Sequence, residues 1–130
     1  MKEINKEIIV GIAALLVHAA RIDENYTKKE EDIIRNFISK VSKERDINKV
    51  LKDAETLESN SNQLLGFTNL IKKETTQFKS EIVEELWKII ISDESADEYE
   101  TNLMRRICGL IYFSDKLAGE IKLKIKSKIK

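Results

Sequence analysis

The chain has 130 residues, equal numbers of acidic and basic side chains, one cysteine, four glycines and no proline. This length corresponds to one domain with one core, and zero net charge argues against a dedicated DNA- or RNA-binding protein. The single Cys108 excludes an internal disulfide and a thiolate metal cluster, and few turn-forming residues argue against sheets. We therefore expect a compact all-α protein. Because the N-terminus has no signal-peptide pattern, we expect it in the reducing cytoplasm.

The spacing of apolar residues predicts six or seven helices along the chain. The first, around Leu15, and the fifth, around Leu86, are apolar on nearly every side and should meet in the centre of the fold. The first is too short and too interrupted by polar residues to span a bilayer. The other apolar stripes predict a second helix over residues 33–41, a third entered near Ser42, a fourth over 64–71, a sixth from about Glu98 and a seventh from near Ser114.

The sequence also predicts the surroundings of a few single residues within these helices. A glycine inside a helix costs about 1 kcal/mol relative to alanine. We expect close helix–helix approach as the compensation at Gly11 and Gly109. We expect Trp87 and Cys108 in the core and His18 as a packed or boundary residue.

An acidic pattern occurs twice, at residues 23–30 and 93–100, seventy positions apart. Each copy begins with Asp, has small oxygen-bearing residues two and four positions later, and has Glu seven positions after the Asp. The match extends outward, pairing Leu16 with Leu86 upstream. This internal repeat predicts two similar helix–loop–helix units and a bundle with approximate twofold symmetry.

The two acidic loops contain the donor atoms that a hard divalent cation prefers. Calcium, magnesium or manganese suits oxygen ligands at the first, third and fifth positions of a loop, whereas zinc does not suit a chain with one His and one Cys. EF-hand loops also require Gly at the sixth position and Glu at the twelfth, which both loops lack. The predicted ligands, in two sites or one shared site, are Asp23, Asn25, Thr27 and Glu30 with Asp93, Ser95, Asp97 and Glu100.

Helix capping explains part of the same pattern. Thr27 with Glu30, and Asp97 with Glu100, have the spacing of capping boxes, which satisfy the unpaired amides at a helix start. Capping does not explain the Asp that stands four positions before each cap, so both interpretations remain open. We expect no enzymatic activity, because no nucleophile, phosphate-binding loop or catalytic His arrangement accompanies the carboxylates.

The acidic segments resemble the TerB-like family, named from tellurite-resistance protein B. Its hallmark is an Ala-Asp-Gly segment, then an acidic residue and a Glu that opens the next helix; this chain has Glu24 and Glu94 where the family has Gly. The resemblance implies a compact all-helical domain with an acidic, candidate metal-binding surface. In the family such domains are linked to tellurite and other stress responses, and one serves as an accessory module of a membrane-anchored J-domain co-chaperone. It covers roughly residues 8–118 and is carried by residues 86–88, 92–93, 97–100 and 105–107, with 67–68 and 114–115.

The C-terminal residues are strongly basic. Residues 116–130 contain six lysines and one acidic residue, for a net charge of +5, so residues 1–115 carry −5. Apolar residues four positions apart predict a last helix, although alternation over 121–125 also fits an edge strand. We divide the chain into a TerB-like domain, residues 1–118, and a basic helix end or tail, 119–130. The lysines either form a solvated end or make weak electrostatic contact with an anionic membrane or an acidic partner. We otherwise expect a protein partner and no nucleic acid, with the oligomeric state open.

Overall fold

The computed structural model describes residues 6–21, 27–41, 46–60, 65–91 and 98–129. This part is helical and contains no strand, which confirms the all-α prediction. None of the described helices is both long enough and apolar enough to cross a bilayer. In chain order the helices are α1 (Lys6–Arg21), α2 (Lys28–Val41), α3 (Ile47–Ser59), α4 (Leu65–Thr68), α5 (Thr76–Ile91), α6 (Glu98–Leu110) and α7 (Asp115–Ile129).

The internal repeat of the sequence reappears in the helix boundaries. Helices α1 and α5 each have 16 residues, and they begin at Lys6 and Thr76, seventy positions apart. Helices α2 and α6 begin at Lys28 and Glu98, again seventy positions apart. A third helix completes each half, since α3 packs against α1 and α7 packs against α5. We call α1–α3 the first unit and α5–α7 the second unit; the internal repeat predicted only the first two helices of each.

Helices α1 and α5 pack against each other in the core. Burying one large aliphatic side chain contributes about 1.5–3 kcal/mol to stability, and both helices bury such side chains on several sides. The prediction that the helices around Leu15 and Leu86 meet in the centre is confirmed. The large side chains that are fully inaccessible include Ile12, Leu15 and Leu16 of α1 and Ile82, Leu86 and Ile89 of α5.

The two glycines expected at close helix contacts differ in their surroundings. A β-carbon at Gly11 would collide with the Leu70 side chain, so α1 and the segment after α4 approach each other closely there. The same addition at Gly109 meets nothing within 4 Å, and Gly109 is exposed. The prediction was therefore right for Gly11 and wrong for Gly109, which lies on the outer side of α6.

The fourth helix is shorter than its apolar stripe predicted. It ends at Thr68, and the chain continues in turns rather than as helix to Ile71. The Leu70 N–H donates to the Phe67 carbonyl at 3.2 Å, and the Ile71 N–H donates to the Thr68 carbonyl at 3.0 Å. Such bonds between residues three apart belong to tight turns and 3₁₀ geometry. Ile71 is still fully buried, which explains why its position fitted the apolar pattern.

The third helix begins at Ile47 and not near Ser42, which lies outside the described residues. The Asp46 carboxylate accepts a hydrogen bond from the Lys49 N–H at 3.0 Å. Aspartate is among the preferred residues at this capping position because it satisfies an amide that has no partner within the helix. Asp46 therefore determines where α3 starts.

Helix α6 ends in a left-handed turn at Tyr112, whose φ is 59°. The Phe113 N–H donates to the Cys108 carbonyl at 2.8 Å, and the Tyr112 N–H donates to the Gly109 carbonyl at 3.4 Å. This is the Schellman pattern of helix termination, which usually places Gly at the left-handed position. A tyrosine there is strained, because a β-carbon disfavours positive φ.

Helix α7 is continuous from Asp115 to Ile129. Ser114 caps its start, since its Oγ accepts from the Leu117 N–H at 3.4 Å. Ala118 and Ile125 are both buried, so α7 packs against the rest of the fold well beyond its first turn. The prediction of a last helix is therefore confirmed, and the alternative of an edge strand is wrong. The predicted division between residues 118 and 119 falls within this helix.

Candidate cation site at the acidic loops

Each acidic segment connects the first two helices of a unit. The connections are residues 22–27, between α1 and α2, and residues 92–97, between α5 and α6. Glu100 lies in the first turn of α6, and its side chain is outside the described part of the chain. Among the predicted ligands, Thr27 and Glu30 therefore have a described geometry. The ligands that lie wholly outside the described residues are Asp23, Asn25, Asp93, Ser95 and Asp97.

Thr27 and Glu30 form a capping box at the start of α2. The backbone N–H and the Oγ1 hydroxyl of Thr27 both donate to Glu30 Oε1, at 2.8 and 3.0 Å. In return, the Glu30 N–H donates to Thr27 Oγ1 at 3.1 Å. These reciprocal bonds satisfy backbone amides that have no partner within the helix. The capping interaction predicted for this pair is present.

Capping also holds the Glu30 carboxylate in a buried position. Glu30 is 3% exposed and lies on the same side of α2 as the buried Ile34 and Phe37. Charged side chains are rarely so buried unless their oxygens are hydrogen-bonded. A carboxylate has about four acceptor positions on its two oxygens, so hydrogen bonding does not by itself prevent it from ligating a cation. The arrangement is chemically compatible with capping and with cation binding.

A polar cluster joins the last turn of α1 to the end of α3. Glu58 Oε1 accepts from Arg21 Nη1 at 2.6 Å, and Glu58 Oε2 lies 3.2 Å from His18 Nδ1. Arg21 Nη1 also donates to Ser59 Oγ at 2.9 Å. We call these four residues the Glu58 cluster. The first acidic connection starts directly after Arg21. The Glu58 cluster therefore fixes the end of α1 to which this connection is attached.

A second charged cluster lies where α2 meets α5. The Glu85 side chain is 4% exposed, and its Oε1 lies 3.2 Å from Lys40 Nζ and 3.1 Å from Lys88 Nζ. Two ammonium groups offset the cost of burying this carboxylate. Lys88 occupies the position that corresponds to His18 in the repeat, and both residues pair with a glutamate. The glutamate belongs to α3 in the first unit and to α5 itself in the second.

The family comparison is consistent with this architecture. The family model described as "Tellurite resistance protein TerB" matches residues 10–123, most of the chain and both acidic connections. The chain belongs to the TerB family. The resemblance predicted from the acidic repeat is confirmed, and the all-helical fold agrees with it. No curated protein sequence and no solved structure matches the chain significantly.

The only thiol of this TerB-family protein lies in the core. Cys108 is fully buried. Burial raises the pKa of the Cys108 thiol to about 12, and the negative charge of Asp115 adds to the increase. The thiol is therefore protonated at neutral pH, when it is a poor nucleophile and a poor metal ligand. The prediction of a buried hydrophobic role is confirmed for Cys108, as is core burial for Trp87.

The described residues contain no group of three or more His, Cys, Asp or Glu side chains that could hold a metal ion. Most of the predicted ligands lie in the two connections, outside the described residues, so this statement does not apply to them. Sequence reasoning found the Thr27–Glu30 cap from its local spacing. It missed Glu58 and Glu85, whose partners on other helices lie 37 to 45 positions away.

Proposed function

We propose that this TerB-family protein is a non-catalytic, cytoplasmic helical module of the stress or tellurite-resistance type that binds a divalent cation at its acidic loops. The cation is calcium, magnesium or manganese, because the predicted ligands are all oxygen donors. The observation that most supports the proposal is the buried Glu30 carboxylate, held by Thr27 directly after the first acidic loop. A ligand that is already fixed loses less conformational freedom when it binds.

The two loops should differ in affinity because they differ in charge. Residues 93–100 contain five carboxylates and no basic residue, whereas residues 23–30 contain three carboxylates and two lysines. Each loop leads into a helix N-terminus, whose partial positive charge opposes a bound cation. We therefore propose weak binding overall, with the second loop as the tighter site.

A titration followed by amide chemical shifts tests this proposal. Adding calcium or magnesium should shift the amides of residues 22–31 and 92–101, with the second group responding at lower concentration. The same titration with sodium chloride at matched ionic strength provides the control for general salt effects. Small shifts spread evenly over the whole chain in both titrations would rule out a cation site at the loops.

A set of variants separates ligation from capping. Glu30→Gln retains an oxygen that can accept the capping hydrogen bonds but removes the charge. If Glu30 is a ligand, this variant should keep most of its metal-free stability and lose ion-dependent stabilisation at the first loop. Thr27→Ala should instead lower the metal-free stability by about 1 kcal/mol through loss of the cap.

The second loop is tested by the double variant Asp93→Asn with Glu100→Gln. It should abolish most of any calcium-dependent rise in melting temperature, because a ligand stabilises the state to which it binds. The matched control is Asp53→Asn with Glu81→Gln, which removes the same charge from α3 and α5 outside the loops. An equal ion response in the two double variants would exclude Asp93 and Glu100 from the site.

A second candidate function is a protein-interaction domain whose acidic loops serve only as helix caps. The observation that favours it is the complete capping box of Thr27 and Glu30. In that case Glu30→Gln leaves every ion response unchanged, because the wild-type protein has none that is localised.

A further inference from the structure

The side of α7 that faces away from the core combines lysines with an exposed leucine. We call Lys116, Leu123, Lys124 and Lys126 the outer face of α7. All four residues are exposed, and Leu123 retains 70% of its accessible surface. Residues three and seven positions apart lie on the same side of a helix, which relates Leu123 to Lys126 and to Lys116. The exposed Glu120, three positions before Leu123, also lies on this side. With three lysines and one glutamate, the face is basic, with an apolar side chain near its middle.

The rest of the protein holds α7 in a fixed orientation. Its opposite side is buried at Ala118 and Ile125. The Trp87 indole N–H donates to the Ala118 carbonyl at 2.9 Å, and the Lys122 ammonium lies 5.0 Å from the centre of the Trp87 ring. The lysines of the outer face form no ion pair with any described residue, in contrast to Lys40 and Lys88. A supported helix therefore presents charges that a partner can neutralise.

The composition of the helix distinguishes between classes of partner. Residues 115–130 contain six lysines and no arginine. Arginine is enriched in protein interfaces and is the usual residue for bidentate recognition of phosphates and bases, whereas lysine is depleted in protein interfaces. Lipid headgroups require only nearby positive charge, and an adjacent aliphatic side chain can enter the boundary between headgroups and acyl chains. We propose that the outer face of α7 docks on a bilayer surface rich in anionic phospholipids.

The charge distribution of the whole chain supports this orientation. Residues 116–130 carry a net charge of +5, and residues 1–115 carry −5. An anionic surface attracts the α7 end and repels much of the remainder, so the protein approaches with this helix first. Because the contact is electrostatic and exposed, it is weak at physiological ionic strength and strengthens as salt is removed.

Vesicle sedimentation with the full-length protein tests the inference. The vesicles are an equimolar mixture of phosphatidylcholine and phosphatidylglycerol, compared with pure phosphatidylcholine, at low salt and with a chelator to prevent cation bridging through the acidic loops. The wild type should pellet with the anionic vesicles only. The triple variant Lys116→Gln, Lys124→Gln and Lys126→Gln should bind on the order of a hundredfold more weakly.

The matched control is the triple variant Lys49→Gln, Lys52→Gln and Lys73→Gln. It removes the same charge from exposed positions of α3 and the turn before α5 and should bind like the wild type. Far-UV circular dichroism checks that both variants are folded. Equal losses in the two triple variants would mean that only net charge matters and would overturn the proposal.

The exposed leucine supplies an independent test. Leu123→Gln should weaken binding to the anionic vesicles severalfold without changing net charge, because it removes the side chain that enters the headgroup boundary. Leu57→Gln on α3 changes a less exposed leucine and should have no effect on binding. A wild-type protein that stays in the supernatant with both vesicle types overturns the proposal and leaves an acidic protein surface as the partner to test.

Discussion

The first two helices of each unit start at matching positions, but the two units are closed by different interactions. In the first unit, Glu58 of α3 binds Arg21 and His18 of α1 through partly exposed polar contacts. In the second unit, Trp87 of α5 is buried against α7 and donates its indole N–H to a backbone carbonyl. The comparison shows that the repeat determines where the first two helices of each unit begin. The polar contacts between the third helix and the first differ between the two units.

The comparison predicts that the second unit depends on its aromatic contact more than the first depends on the Glu58 cluster. Trp87→Ala should lower the free energy of unfolding by about 3–5 kcal/mol, because a large buried side chain and its hydrogen bond are lost together. Trp87→Phe should cost less, since an aromatic ring remains and only the N–H and part of the ring volume are removed. Urea denaturation at equilibrium measures both values, and similar costs for the two variants would assign the effect to the hydrogen bond.

The Glu58 cluster of the first unit should contribute less to stability than Trp87 does in the second unit. Glu58→Ala should lower the free energy of unfolding by about 1–2 kcal/mol, because the lost bonds involve charged groups that are partly exposed to water. Glu58→Gln, which keeps an acceptor for Arg21, should cost less. The same denaturation assay compares these variants with Trp87→Ala. A cost for Glu58→Ala as large as that of Trp87→Ala would contradict the difference between the units.

The units should also differ in alkaline stability, because Cys108 corresponds to Ile38 in the repeat and both are fully buried. Since the folded-state pKa of Cys108 is raised from 9.0 to about 12, the unfolded chain releases the proton first as pH rises. The stability linked to this proton is present below pH 9 and is lost as pH rises toward 12. At about pH 10, one unit above the pKa of the unfolded chain, the loss should be on the order of 1 kcal/mol.

Cys108→Ala isolates this effect from other groups that titrate at alkaline pH. The free energy of unfolding, measured near pH 7 and near pH 10, should fall more for the wild type than for the variant. Parallel decreases in the two proteins would show that the Cys108 proton does not contribute.

The smallest expected effect is a gain in stability at the end of α6. Tyr112→Gly should raise the free energy of unfolding by about 1 kcal/mol, because glycine adopts the positive φ of this position without strain. The tyrosine side chain is 76% exposed, so little packing is lost. Tyr112→Ala retains the β-carbon and should not stabilise the protein in thermal denaturation. A stabilisation by alanine equal to that by glycine would locate the cost in the ring and not in the backbone.

Local patterns in the sequence were sufficient for much of the fold and for one part of the candidate site. Apolar spacing indicated helices and the central position of α1 and α5, because periodicity reports which sides of a helix are buried. The spacing of Thr27 and Glu30 predicted their cap, since both partners lie within one helical turn. The Leu64–Ile71 stripe misled because buried turn residues and buried helix residues leave the same apolar pattern.

The sequence by itself determined the all-helical class, the repeat of seventy positions and the family. Only the tertiary structure decided which glycine is crowded, Gly11 and not Gly109, and which carboxylates are enclosed. Helix formation and capping depend on residues within a few positions of one another. The environments of Glu58 and Glu85 depend on partners from helices distant in the sequence, and no local spacing records which helices become neighbours.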